Sequence, residues 1–118
     1  MIQRDYVLRL IAEAARAVAL ALGLRRRGDE EDARALLDTA ARTLTGQPLD
    51  VVAHLGDDAL RALCTPRGTF VPDLAVGLAD VLHAAGDPAR ARTLYAAAHA
   101  AGAALPLHAL ALVAPERP

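Results

Sequence analysis

The chain has 118 residues, a formal net charge of −1 and an apolar fraction of 54%. This length corresponds to one domain over residues 1–118. The near-neutral charge excludes the broad basic surface that nucleic-acid binding needs. Alanine and leucine supply most of the apolar content, and aromatic residues make up only 3% of the chain. Alanine and leucine are both strong helix formers, and β-branched residues are few, so the composition predicts an all-α domain.

The N-terminal part predicts one long helix, from about residue 3 to residue 27. Charged residues recur along it at spacings of three and four: Asp5, Arg9, Glu13 and Arg16. The rest of its surface is apolar, which is more than one partner helix covers. We therefore expect either two neighbouring helices or a second copy of the chain to pack on it.

A Gly-Asp turn and an amphipathic helix come next. Gly28 suits the left-handed position after a helix, and Asp29 suits the N-cap of the following one. Over residues 30–44 the apolar positions fall at i, i+3, i+4, i+7, i+8 and i+11. The opposite face carries Arg34, Asp38 and Arg42 at four-residue spacing, so an i,i+4 salt bridge is available. Gly46 and Pro48 end this helix.

The middle of the chain is less regular. It predicts two short helices, over residues 49–55 and 58–64, and a loop over residues 65–68, because Pro and Gly are concentrated there. Cys64 is the only cysteine, so it forms no internal disulfide. No base accompanies it in sequence, and we interpret it as a small core residue rather than a nucleophile.

The C-terminal part predicts three more helices. A nearly uncharged helix over 72–85 is buried on most sides. Asp87 and Pro88 start the next, which ends near residue 102. A short helix runs from residue 106 to about 113, and residues 115–118 are a frayed tail. Residues 93–115 lack Asp, Glu and Arg, but the stretch is mostly alanine and divided by Pro106, so no membrane span is predicted. Without a signal peptide, the default location is the cytoplasm.

Two segments of the sequence share one pattern, 58 residues apart. Each is an apolar helix, a Gly-Asp turn and an amphipathic helix. The matching positions are Leu20, Ala21, Leu24, Gly28, Ala33, Leu37 and Ala40, and then Leu78, Ala79, Leu82, Gly86, Ala91, Tyr95 and Ala98. Small residues mark close helix crossings, and large ones fill the space beside them.

This pattern resembles the tetratricopeptide repeat (TPR) over about residues 14–46 and 72–104. The opening Asp5-Tyr6-Val7-Leu8-Arg9-Leu10-Ile11 also resembles a family of small uncharacterised bacterial proteins, whose chains begin with Asp-Tyr-x-x-Arg-x-Ile and continue into TPR-like hairpins. Together these resemblances imply antiparallel helix hairpins in a TPR-like right-handed α-α superhelix of about five to seven helices. They imply no known activity.

The resemblance also implies a binding face. In TPR proteins the inner face of the first helix of each hairpin contacts the partner. The matching positions are Ala15, Val18, Leu22, Arg25 and Arg26 in one hairpin, and Asp73, Val76, Asp80, His83 and Ala84 in the other. Four of them are candidate partner-binding residues: Arg25, Arg26, Asp80 and His83. The two arginines would engage an acidic peptide or a C-terminal carboxylate.

Residues for catalysis or cofactors form no recognisable motif. Serine is absent, and the four histidines (His54, His83, His99 and His108) show no i,i+4 pair of the kind that binds metal on a helix. We therefore predict no catalytic residues, no cofactor and no metal. The predicted function is a non-enzymatic protein–protein interaction module, and the alternative is a self-associating structural homodimer. A small-ligand binder or enzyme is less expected and would need a deep pocket lined by a histidine and carboxylates.

Overall fold

A computed structural model describes residues 4–113 of the chain. Within that range the protein consists of seven α-helices and one 3-10 turn, with no strand, which confirms the all-α prediction. The helices are α1 (Arg4–Arg26), α2 (Glu30–Thr45), α3 (Leu49–Val52), α4 (Asp57–Leu63), α5 (Pro72–Ala84), α6 (Pro88–Ala100) and α7 (Leu107–Val113). The 3-10 turn, Pro66–Gly68, lies between α4 and α5.

Two antiparallel helix hairpins, α1–α2 and α5–α6, form the body of the protein. α1 packs against both α2 and α5, so two neighbouring helices cover part of its wide apolar face. The short helices lie on the hairpins: α3 against α2, and α4 and α7 against α6. The contact between α1 and α5 therefore joins the two hairpins.

The turns of the two hairpins have the same hydrogen-bond geometry. Gly28 and Gly86 have φ values of 86° and 88°, which only glycine adopts at little cost. In each turn the glycine N–H donates to the carbonyl three residues back, at 3.1 Å, and the following Asp N–H donates to the carbonyl five residues back, at 2.9 Å. This Schellman arrangement satisfies the last carbonyls of α1 and α5. The internal repeat in the sequence is thus a structural repeat of helix, turn and helix.

The predicted helix boundaries agree with the structure to within a few residues. Asp29 differs from expectation: it occupies the N-cap position of α2, but its exposed side chain makes no capping hydrogen bond. Asp87 does cap α6, by accepting from the N–H of Arg90 at 3.2 Å. The predicted start of α1 at residue 3 and the predicted tail over residues 115–118 lie outside the described residues.

The core is one cluster of alanine and leucine side chains from all the long helices. Its largest fully buried side chain is Tyr95 of α6. Cys64 is also fully buried, and burial raises the pKa of its thiol to about 12. A thiol held protonated in this way suits a packing residue, because the thiolate is the reactive form of cysteine.

Hydrogen bonds and ion pairs connect the first hairpin to the middle segment. Asp38 on α2 accepts hydrogen bonds from Arg42, at 2.9 Å, and from the backbone N–H of Leu49, at 2.8 Å. The pKa of the Asp38 carboxyl is lowered, first by Arg42 and then by the Leu49 N–H. The predicted i,i+4 pair is confirmed. Arg34, on the same face of α2, pairs with Asp50 of α3 at 2.8 Å.

We predict that Leu78→Ala lowers the free energy of unfolding by about 2–5 kcal/mol, because it leaves a cavity at a fully buried site. The matched control is Leu107→Ala, since Leu107 is 86% exposed. The control is expected to change stability by less than about 0.5 kcal/mol. Urea unfolding followed by circular dichroism measures both, and equal losses for the two variants would contradict the assigned core.

Candidate functional site

An open cleft of about 370 Å³ lies where α1, α5 and α7 meet. The second half of α1 forms one wall, the end of α5 forms the floor, and α7 closes one side. Seven residues line it: Val18, Leu22, Arg25, Asp80, His83, Ala84 and His108. We refer to it as the α1–α5–α7 cleft. It combines an apolar wall with charged and imidazole groups.

Three of the four predicted partner-binding residues line this cleft. Arg25 comes from α1, and Asp80 and His83 come from α5. Arg25 and His83 occupy equivalent positions of the two hairpins, 58 residues apart. The two repeated hairpins therefore each place one of these side chains in the cleft. Arg26 is exposed and is not among the lining residues. Its neighbour Arg25 points inward, and one step along a helix turns the side chain by about 100°.

The Arg25 guanidinium is already held by protein groups. Its Nε and Nη2 contact the two carboxylate oxygens of Glu30 at 3.0 and 2.8 Å, and its Nη1 donates to the carbonyl of Ala84. The Glu30 contact is bidentate, which fixes the guanidinium plane. Arg25 therefore bridges the first hairpin to the end of α5, and its positive charge is partly compensated before any partner binds.

A hydrogen-bonded group connects two lining residues of the cleft, Asp80 and His108, to the core. The buried Tyr95 hydroxyl donates to Asp80 Oδ1, and His108 Nε2 lies 3.1 Å from the same hydroxyl. Because the single hydroxyl proton goes to Asp80, His108 Nε2 is the donor in its contact with Tyr95. Burial is the main cause that raises the pKa of Tyr95, and the hydrogen bond to Asp80 adds to it. The hydroxyl thus remains a donor throughout the ordinary pH range.

Two imidazole rings form the polar edge of the cleft. The rings of His83 and His108 stack with centroids 5.1 Å apart and planes inclined by 28°. His108 Nε2 also lies 3.6 Å from Asp80 Oδ1. Both histidines are exposed, so a bound partner can reach them. The cleft therefore offers imidazole donors beside an apolar wall.

Sequence analysis missed His108 and the hydroxyl of Tyr95 as parts of this site. The pattern of α6 identified Tyr95 only as a core residue, which describes its ring but not its polar end. His108 is a lone histidine in an otherwise apolar helix, and this is the feature of the sequence that could have identified it as part of the site. Its proximity to Asp80 depends on how α7 folds back on α6, and helix periodicity does not contain that information.

A second, larger cleft of about 620 Å³ lies at the opposite end of α1. Its lining is mostly apolar, with two arginines and no acidic side chain among the described residues: Tyr6, Val7, Arg9, Leu10, Leu44, Thr45, Leu63, Pro66, Arg67 and Leu74. Arg67 lies in the left-handed backbone region, with φ 55°. None of these residues was singled out as a binding residue from the sequence.

Among the described residues, no group of three or more His, Cys, Asp or Glu side chains is arranged to hold a metal ion. None of the helices in residues 4–113 has the length and apolar content needed to cross a bilayer. Comparison of the chain with protein-family models, curated proteins and solved structures gave no match.

We predict that Tyr95 stays protonated well above about pH 10, the ordinary pKa of tyrosine. Its raised pKa means that the folded state favours the neutral hydroxyl. The associated stability is complete below about pH 10 and is lost as the pH rises further. The test is an ultraviolet titration of tyrosinate in a Tyr6→Phe variant, in which Tyr95 is the only tyrosine. Ionisation near pH 10 without loss of helical circular dichroism would contradict the assigned hydrogen bond.

Proposed function

We propose that this chain is a non-enzymatic protein–protein interaction module that binds a segment of another protein in the α1–α5–α7 cleft. The observation that carries the proposal is the convergence of Arg25, Asp80 and His83 on one open cleft. Equivalent helices of two repeated hairpins supply these residues. A TPR-like arrangement accounts for that convergence, because in such repeats the first helix of each hairpin faces the partner.

The chemistry of the cleft favours a segment with an apolar side chain next to an acidic group. Val18 and Leu22 supply an apolar wall on α1. His83 presents its exposed imidazole at the edge, stacked on His108, and Arg25 adds positive charge beside it. Asp80 accepts the Tyr95 hydroxyl, which reduces its repulsion of an incoming carboxylate. Arg25 then acts mainly as a positioned charge, since Glu30 and Ala84 already occupy three of its donors.

We also propose that the chain acts as a homodimer. Several large apolar side chains of α1 remain exposed although α2 and α5 pack on the helix. Leu8 and Leu22 are each 41% exposed, and Leu20 is 61% exposed. Large exposed apolar side chains of this kind are commonly covered by a partner, and a two-fold dimer is the commonest assembly. Assignment to the small bacterial family, and a location in the cytoplasm, remain predictions from the sequence.

A small-ligand site is the second candidate function for the same cleft. The observation that favours it is that two histidines and one carboxylate line the cleft, which is part of the deep, carboxylate-lined pocket that such a function would need. The cleft volume of about 370 Å³ lies within the usual range for small-molecule sites. The cleft is open and His83 is exposed, which suits a peptide better, because small-molecule sites bury most of the ligand.

The test compares His83→Glu with Arg92→Glu in capture of the tagged protein from its native host. His83→Glu places a negative charge in the cleft and should reduce recovery of an acidic partner at least about tenfold, which corresponds to about 1.4 kcal/mol. Arg92 is exposed on α6, outside the cleft, so Arg92→Glu changes the net charge further without touching the site. We expect Arg92→Glu to recover the partner at the level of the unmodified protein.

Equal recovery by both variants would contradict the assignment of the cleft as the partner site. Native mass spectrometry of the purified protein separates the two candidate functions. A retained non-peptide molecule that His83→Glu loses would favour the small-ligand function instead. Circular dichroism of both variants checks that each keeps the helical fold.

A further inference from the structure

α1 carries an exposed apolar seam that neither α2 nor α5 covers. We define this outer seam by five residues: Leu8, Ala12, Ala15, Ala19 and Leu22. Successive members are four and three residues apart in alternation, and every one of them is exposed. The buried face of α1 lies elsewhere, on Ala14 and Ala21, which are each 1% exposed.

Alternating spacings of three and four are those of a coiled-coil seam, which a second helix covers. Asp5 and Arg26 continue the same spacing beyond the two ends of the outer seam, and both are exposed. The whole row, from residue 5 to residue 26, spans about 32 Å at 1.5 Å per residue. It is therefore long enough for more than two heptads of contact with another helix.

The order of residues along this row is self-complementary. It begins with an acid, ends with a base, has one leucine near each end and has alanine in the middle. In an antiparallel pair of α1 helices, Asp5 meets the partner's Arg26 at both ends, and Leu8 meets the partner's Leu22. A parallel pair would place like charges side by side at each end, which is unfavourable.

The alanines allow the two helices to approach closely. Ala12, Ala15 and Ala19 have short side chains, so the axes can come within about 8 Å, the short end of helix packing distances. The leucines on either side then pack around the close approach. Ala15 is near the midpoint of the row, so a two-fold axis through this point repeats every contact.

We infer that a second copy of this chain docks on the outer seam, with the two α1 helices antiparallel and the two-fold axis close to Ala15. The inference rests on the proposed homodimer and specifies its surface and orientation. Leu22 is the only member of the outer seam that also lines the α1–α5–α7 cleft. Variants at the other positions therefore test the dimer separately from the cleft.

The first test measures self-association by sedimentation equilibrium. The protein is expected to reach twice its 12.3 kDa chain mass. Ala15→Glu brings two carboxylates together at the axis and should weaken self-association at least about tenfold, equivalent to about 1.4 kcal/mol. The control is Ala96→Glu, at an exposed position of α6, which should leave the dimer unchanged.

The second test uses the end charges to determine orientation. Asp5→Arg and Arg26→Asp each create like-charge contacts in an antiparallel homodimer, so each should weaken dimerisation by at least about twofold, as exposed ion pairs are individually weak. Mixing the two variants should restore dimers, because the mixed antiparallel pair has opposite charges at both ends. A parallel pair already has like charges at both ends, so neither single variant would weaken it, and mixing would make it tighter than the unmodified dimer.

Cysteine cross-linking locates the axis. Ala15→Cys should form an intermolecular disulfide under mild oxidation, because its two copies face each other at the axis. Leu8→Cys should not, since its two copies lie about 21 Å apart along antiparallel helices. The unmodified chain is the control, as its single cysteine, Cys64, is fully buried.

Each result decides one element of the inference. A strictly monomeric protein would overturn both the inference and the proposed homodimer, while leaving the His83→Glu test of the cleft intact. A dimer that Ala15→Glu does not weaken would show that another surface mediates it. Efficient cross-linking of Leu8→Cys, with dimerisation that neither single charge variant weakens, would replace the antiparallel arrangement by a parallel one.

Discussion

The structure depends on how one buried hydroxyl is satisfied. Tyr95 is the largest fully buried side chain in a core otherwise made mainly of alanine and leucine, and its polar end cannot stay unpaired there without a large desolvation cost. Asp80 and His108 supply the partners. Since these residues belong to α6, α5 and α7, the same contact fixes the relative positions of three helices and places both polar partners at the edge of the α1–α5–α7 cleft.

The repeated hairpin turn explains why the two halves of the chain contribute to one site. Gly28 and Gly86 end α1 and α5 with the same hydrogen bonds. Residues that precede the two turns by the same number of positions therefore occupy equivalent places on the two helices. Arg25 and His83 are such a pair. Small residues let α1 and α5 lie close together, and Arg25 then reaches the carbonyl of Ala84 across the gap. The close packing of α1 on α5 and the repeated hairpin turn thus form the site together, and α7 completes it.

The sequence predicted those features that depend on short spacings. Helix periodicity located all the long helices, the Gly-Asp turns marked both hairpins, and three of four proposed binding residues meet in one cleft. Arg26 does not reach it, because adjacent residues point about 100° apart on a helix. The features that were missed depend on contacts between distant segments: the fold-back of His108 onto Tyr95, the hydrogen bond from Arg25 to the carbonyl of Ala84, and the second cleft around Arg67. The outer seam was visible only as an excess of apolar surface until the structure showed which side α2 and α5 leave exposed.

The most direct measurement is a double-mutant cycle between Tyr95→Phe and Asp80→Asn, read from the free energy of unfolding in urea. The account holds that the two side chains form one hydrogen-bonded unit that joins the core to the cleft. It predicts that the losses are not additive, with a coupling energy of about 0.5–3 kcal/mol. Losses that add to within about 0.3–0.5 kcal/mol, as for independent sites, would contradict it.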